Sequence, residues 1–198
     1  MNLPLFPLNT VLFPGCPLDL QIFEARYLDM ISRCMKQGEG FGVVAIVEGD
    51  EVGEAAGQFA AIGCEARICD FQQRPNGLLG IRVEGARRFK VNRAQVLPDQ
   101  LTLADVEWLD DAEALPLQAG DADLLALLGA LVDHPMVSGL GIGSEVDDQA
   151  VLANRLAYLL PLPPEQKVQL LTLDDPQERL GRLQVLLEAL QREMNGEG

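Results

Sequence analysis

The chain has 198 residues, 48% of them hydrophobic, and 15 basic against 30 acidic residues give a net charge of −15. That is length enough for one large domain or two small ones, with a core that needs no metal or disulfide to hold it. The acidity repels phosphate backbones and argues against nucleic acid as the main partner. No run approaches the ~20 apolar residues of a membrane span. The opening Met1-Asn2-Leu3-Pro4 lacks the positive charge and apolar run of a signal peptide, so a soluble cytoplasmic protein with no membrane partner is expected.

The first ~110 residues read as strands with one helix. Pro4, Pro7, Pro14 and Pro17 favour extended or turn conformations at the start. Leu18, Leu20 and Ile22 alternate with Asp19 and Gln21, a half-buried strand. Phe23, Tyr27, Met30, Ile31, Cys34 and Met35 then fall on one helical stripe, with Gly38 placed to end the helix in the left-handed conformation. Phe41 to Val47 and Phe59 to Phe71 are extended, and Asn76-Gly77 predicts a hairpin closed by a type I′ turn. Leu79 to Val83, Arg87 to Val96 and Leu101 to Trp108 bring the count to about six strands. A change of alternation near Ala104-Asp105 suggests a bulge there.

The acidic stretch 111–120, which carries Pro116, reads as a linker between 1–110 and 121–198. Beyond it the apolar period changes from two to 3.6. Helix Asp121 to Asp133 is apolar or small almost all round and is expected to be central. Gly139, Gly141 and Gly143 form a loop, and Ser144 with Asp147 reads as the next helix start. Leu152, Leu156, Leu159 and Leu160 are its inner face. Pro163-Pro164 opens a short helix, and Asp175-Pro176-Gln177-Glu178 starts the last one, striped by Leu180, Leu183, Leu186, Leu187 and Leu190.

Few motifs in the chain carry chemistry. There is no GxxxxGK[ST] and no GxSxG, and the Gly139 to Gly143 run follows a helix rather than a strand. The single histidine, His134, would have to serve any triad with Ser138 or Ser144, and it stands at a helix end before a proline. Cys16, Cys34, Cys64 and Cys69 include no CxxC pair and read as small buried apolar side chains in a reducing compartment. Paired acids such as Asp147-Asp148 and Asp174-Asp175 read as helix caps. No catalytic residue, metal site or cofactor is expected. Arg82, Arg87, Arg88 and Lys90 are the one charge cluster of interest, with Arg88, Lys90 and Asn92 sharing a strand face. It could hold RNA or an acidic peptide, although only 5% of residues are aromatic and none forms a stacking ladder. A solvated face is the simpler reading.

Leu3-Pro4-Leu5-Phe6-Pro7-Leu8, Val11-Leu12-Phe13-Pro14-Gly15 and Leu20-Gln21-Ile22-Phe23-Glu24-Ala25-Arg26-Tyr27 resemble the start of Lon protease N-terminal domains. Phe41-Gly42-Val43-Val44, Ile62-Gly63-Cys64-Glu65-Ala66-Arg67-Ile68, Gly80-Ile81-Arg82-Val83-Glu84-Gly85 and Leu160-Pro161-Leu162-Pro163 follow in the family's order. The resemblance implies an α+β protein: a PUA-like β pseudobarrel with one inserted helix, then a C-terminal helical bundle. It implies a non-catalytic, substrate-binding module for unfolded or extended polypeptide, here ending at Gly198 without the ATPase and Ser–Lys protease domains. Peptide contacts are expected at Phe13, Phe23, Arg26 and Tyr27. The expected partners are unfolded protein or peptide segments, or another protease or chaperone for which the chain serves as adaptor. A PUA-like RNA-binding module is the alternative.

Overall fold

In a computed structural model the described residues are 2–110 and 114–194. The chain divides into two compact units, Met1–Asp110 and Asp111–Gly198. The first holds β1 (Asn2–Leu8), β2 (Pro17–Ile22), α1 (Ala25–Gln37), β3 (Phe41–Glu48), β4 (Gln58–Gln73), β5 (Leu79–Val96) and β6 (Thr102–Trp108). The sheet order is β2-β5-β4-β3-β1-β6, and β6 pairs in addition with β5. The first half of β5 is bordered by β2 and β4, and residues 89–96 pair with β6. One long strand thus serves both ends of the curled sheet, while β2 stays on an outer edge. The mixed α+β pseudobarrel expected from the resemblance is present.

The six strands differ in detail from those read off the sequence. Arg87 to Val96 is not a separate strand but the second half of β5. The sixth strand is β1, whose Leu-Pro-Leu-Phe-Pro-Leu run lacks polar alternation because both of its faces are buried. Leu3 and Leu5 face one core with Val44, Phe89, Ala104 and Val106. Phe6 and Leu8 face the other with Tyr27, Met30, Ile31, Phe41, Val43 and Ile81. Residues 2–5 of β1 pair with β6, and residues 5–8 pair with β3. Pro4 and Pro7 therefore each lie where the strand is laddered on one side, the condition under which proline enters a sheet.

The bulge belongs to β5, not to β6. Val91 faces Val106 and Arg93 faces Asp105, leaving Asn92 as the extra residue. In β6, Thr102, Ala104 and Val106 are buried in unbroken alternation. The hairpin at Asn76-Gly77 forms, but by a different turn. Gly77 alone has positive φ, at 82°, its N–H donates to the Arg74 carbonyl at 2.9 Å, and the Arg74 N–H donates to Leu78 at 2.8 Å. This is a three-residue loop with a left-handed glycine, the geometry of a type I turn plus bulge rather than type I′.

Gly38 ends α1 with φ 67°, as expected, and the Glu39 N–H returns to the Cys34 carbonyl at 3.0 Å. The buried face of α1 comprises Arg26, Tyr27, Met30, Ile31 and Cys34. Phe23 precedes the helix and Met35 lies off the buried stripe, so both are exposed. Cys16, Cys34 and Cys64 are buried, whereas Cys69 is exposed, because it falls at the register shift between Ile68 and Asp70.

The second unit holds a 3-10 turn (Ala119–Asp121), α2 (Ala122–Asp133), α3 (Pro135–Ser138), α4 (Gln149–Leu159), α5 (Pro164–Thr172) and α6 (Pro176–Met194). Part of the expected linker is built into this unit. The Leu115 carbonyl accepts from Gln149 N–H at 2.8 Å, Pro116 bridges to Asp148, and Asp121 accepts from both Gln118 N–H and the Gln149 amide at 2.8 Å. Residues 111–113 lie outside the described residues.

The central helix is α4, not α2. Leu152, Ala153, Leu156 and Ala157 are fully buried, while α2 buries Leu124 and Leu128 and leaves Leu125, Leu127, Leu131 and Val132 half-buried. Small alanines allow α4 the closer packing that a ring of leucines prevents. Its cap is Asp148, whose carboxylate accepts from Val151 N–H at 2.9 Å, rather than Ser144 or Asp147. Asp175 opens α6 as expected, accepting from Gln177 N–H at 2.8 Å.

Arg179 is buried and joins three helices. Its guanidinium donates to the Leu170 carbonyl at 2.9 Å, to Asn154 Oδ1 at 2.5 Å and to the Leu173 carbonyl. Nothing in the leucine stripes announced it.

Two outcomes are expected. Arg179→Met should destabilise the protein by about 3 kcal/mol by stranding buried acceptors, read as a lower midpoint in thermal unfolding followed by helical circular dichroism. Gly85→Ala should cost at least about 3 kcal/mol, because the added methyl would stand 2.1 Å from the Phe13 carbonyl oxygen. Urea unfolding followed through the single tryptophan, Trp108, would measure it.

Candidate surface site on the first unit

The Phe23-Glu24-Ala25-Arg26-Tyr27 element is where sequence and surface meet. Arg26 is buried, and its Nη1 donates to the Gln100 carbonyl at 2.8 Å while Nη2 pairs with Glu24 Oε2 at 3.0 Å. Gln100 has φ 68°, the one positive value among described non-glycine residues, in the turn between β5 and β6. The arginine therefore fastens a strained turn to the start of α1. Tyr27 lies under the guanidinium, 4.6 Å from ring centroid to carbon, and stacks on Phe6 with centroids 4.0 Å apart. Burial pushes the Tyr27 hydroxyl up from its ordinary pKa, with Arg26 pulling the other way.

The same polar groups hold the loop 49–57. Glu24 Oε2 accepts from Gly53 N–H at 3.4 Å, Gln100 Oε1 from Ala55 N–H at 3.4 Å, and Glu51 Oε1 from Asn9 N–H at 2.5 Å. Val52, 55% exposed, is thereby held beside Phe23, 51% exposed, on a notch of about 160 Å³. Phe6, Leu8, Leu20, Ile22 and Tyr27 line it, together with Asp19, Glu24 and Glu51. An apolar surface rimmed by carboxylates suits an apolar side chain next to a basic one.

Of the four residues expected to touch peptide, only Phe23 presents its ring to solvent. Phe13 is fully buried and its carbonyl packs against Gly85. Arg26 and Tyr27 are buried too, the one bonded to the Gln100 carbonyl and the other stacked on Phe6. A second depression of about 340 Å³ lies between the end of α1 and β4, lined by Cys34, Met35, Gly38, Ile68, Cys69 and Phe71 among others. Met35 is 41% and Phe71 57% exposed. Burial raises the Cys34 thiol pKa as well. The sequence does not announce this groove, because Met35 shares the helical spacing of the buried stripe and Phe71 stands at the end of an extended run whose partner is set by long-range pairing.

The four basic residues do not form one free positive face. Arg82 makes two bonds to Asp19, at 2.9 and 3.1 Å. Arg87 pairs with Glu65 at 3.2 Å and lies 3.9 Å over the Trp108 ring. Arg88 is 2% exposed and donates to the Asp110 carbonyl, so it leaves the face expected for it, while Lys90 and Asn92 are exposed. Of the four basic residues, Lys90 alone is exposed and bonded to no acid among the described residues. His134 Nδ1 accepts from Met136 N–H at 3.3 Å, and Ser138 Oγ donates to the Pro135 carbonyl at 3.2 Å. Both side chains are spent on the ends of α3. Among the described residues there is no cluster of three or more His, Cys, Asp or Glu suited to a metal, and no helix is long and apolar enough to cross a membrane.

With this geometry in view, comparison with known proteins is decisive about kinship. The model of the ATP-dependent protease La (LON) substrate-binding domain matches residues 2–189. The chain belongs to the Lon substrate-binding domain family. A Lon N-terminal domain protein from Xanthomonas campestris is 36% identical and superposes with a TM-score of 0.77, over 93% of this chain and 98% of that one. The N-terminal domain of Lon protease from Mycobacterium avium complex shares the fold at 20% identity and TM-score 0.64, over 95% and 97% of the two chains. Lon protease 2 of Herpetosiphon aurantiacus is 29% identical over 94% of this chain and 24% of its own length. The chain thus spans about a quarter of the curated Lon proteases it matches, and the part it matches is the substrate-binding domain, not a catalytic one.

The bonds of Arg26 and Glu24 make the Phe-Glu-x-Arg-Tyr element a structural knot. Arg26→Ala should lower the stability of the first unit by about 2–4 kcal/mol. Arg26→Lys should fail to restore it, since one ammonium cannot span both Gln100 and Glu24. Urea midpoints from Trp108 fluorescence would decide between these and a neutral role.

Proposed function

We propose that this chain is a non-catalytic binding module for unfolded or extended polypeptide. The observation that carries the reading is the match to the Lon substrate-binding domain over residues 2–189. The surface supports it: Phe23, Val52, Met35 and Phe71 stand exposed on the first unit beside two apolar depressions. Apolar side chains of a substrate supply affinity there, and the net charge of −15 keeps the binder soluble and favours segments that carry lysine or arginine. Within this reading the first unit carries the contact surface, Phe23 touches the ligand, and Phe13, Arg26 and Tyr27 hold it in place. We further infer that the module works in the cytoplasm, in the service of a protease or chaperone. The RNA-binding reading draws less support, because Arg82 and Arg87 are paired with acids and Arg88 is buried.

Fluorescence anisotropy with a reduced, carbamidomethylated unfolded polypeptide tests this, with the same protein folded and a single-stranded RNA as controls. Saturable binding to the unfolded chain alone, with no cleavage products, is expected, and Phe23→Asp should weaken it about tenfold. Salt-sensitive binding to RNA alone would replace the reading with a nucleic-acid one. Binding to none of the three would leave the adaptor role, to be pursued by its partner.

A further inference from the structure

The two halves of β4 have different surroundings. Residues 58–66 are flanked by β3, whose ladder ends at the pair Phe41 and Ala66. Residues 67–73 continue alone, paired with β5 from Arg67–Glu84 to Gln73–Leu79. Among the described residues nothing pairs with their other side, and 69–73 are all exposed. Seven residues of β4 therefore present an open sheet edge, regular over 70–73 and bulged at Cys69, where the ladder to β5 shifts register.

The phase of that edge follows from the hairpin. Bonded and unbonded residues alternate in an antiparallel ladder. Arg74 N–H bonds across to Leu78 at 2.8 Å, so Gln72 and Asp70 bond in step with it. Phe71 and Gln73 turn their N–H and C=O outward. The Phe71 N–H agrees: it donates to Asp70 Oδ1 at 2.8 Å instead of to β5. The apolar groove beside α1 runs along this same edge, with Met35, Ile68, Cys69 and Phe71 on it.

We infer that residues 67–73 of β4 receive an extended segment of an unfolded polypeptide as an added strand, an apolar stretch flanked by lysine or arginine. This rests on the polypeptide-binding reading and names its site and mode. Backbone pairing supplies affinity without demanding a sequence, which suits a receptor for many unfolded chains, and the groove selects apolar side chains. Charge supplies the direction of preference. Arg67 is held by Glu65 at 3.4 Å and Arg82 by Asp19 at 2.9 Å, while Glu39 and Asp70 stand on the groove rim. The Asp70 carboxylate blunts the edge while it is empty, as charges on exposed strands commonly do. When a strand docks it yields the Phe71 N–H to a carbonyl of the incoming chain and turns to a lysine.

The test uses a fluorescent peptide of alternating valine and threonine with two lysines at each end, the same peptide N-methylated at every second amide in either register, and the unfolded polypeptide above. The wild-type protein should bind the plain peptide and lose at least tenfold in affinity for one methylated form only. Gln73→Pro removes an outward N–H and Phe71→Asp charges the groove. Each should cut peptide affinity at least tenfold while leaving the melting temperature within a few degrees. Cys69 gives an independent reading, since the other three cysteines are buried: bound peptide should slow its alkylation severalfold. If the unfolded polypeptide binds but the peptide ignores methylation, both variants and Cys69, the edge is overturned and the binding module stands. If the wild type binds no unfolded chain at all, the module reading itself falls. A wild-type dimer abolished by Gln73→Pro would overturn the proposal in favour of pairing between two copies.

Discussion

The first unit depends on a mismatch of strand lengths. β4 and β5 run for sixteen and eighteen residues, whereas β3 has eight and β2 six. Short strands cannot cover long ones. The far end of β5 is therefore free to take β6, which pairs with β1 on its other side, and the far end of β4 is left bare on one side. Curling and exposure come from the same geometry. The extra residue at Asn92 lets β5 bend enough to serve both groups of neighbours.

That frame needs its corners tied, and the ties are polar. Arg26 fixes the β5–β6 turn at Gln100 to the head of α1, and Glu24 and Gln100 hold the loop that carries Val52. Glu65, itself buried, pairs with both Arg67 and Arg87. Arg26, Glu24 and Gln100 sit where backbone carbonyls and amides of irregular segments would otherwise lack partners, and satisfying them is worth more than the ion pairs by themselves. In the second unit Arg179 plays the comparable part among α4, α5 and α6. The apolar side chains left over, Phe23 and Val52 at one end and Met35 and Phe71 at the other, are displayed by a scaffold that cannot collapse onto them. An exposed apolar surface of this kind is held open by polar bonds beneath it.

Much of the fold was legible along the chain. The strands at Pro17–Ile22 and Phe41–Glu48, helix α1 with its Gly38 stop, the hairpin at Gly77 and the Asp175 start of α6 are local decisions, made by alternation, helical period and φ preference. β1 escaped because a strand buried on both faces carries no alternation, and its prolines argue for a turn unless the stagger of its neighbours is known. The central place of α4 escaped because leucine density measures apolarity, whereas close packing here depends on Ala153 and Ala157. The candidate site was only half legible. The Phe23 to Tyr27 element marked a corner where apolar side chains reach the surface, but of its members the sequence could not tell the presented ring from the buried supports.

The amino-acid order by itself determined the element types, the change from β to α near residue 110 and the kinship to Lon substrate-binding domains, because each rests on local spacing or on the order of short motifs. It could not determine which residues meet across the sheet. Exposure of Phe71 and Cys69, burial of Phe13 and Arg88, and the open edge at 67–73 depend on where β3 ends relative to β4 and on the register shifts within the ladders. Those are long-range pairings, set by the competition of whole strands for partners, and a shift of one residue in any of them would turn every following side chain to the other face.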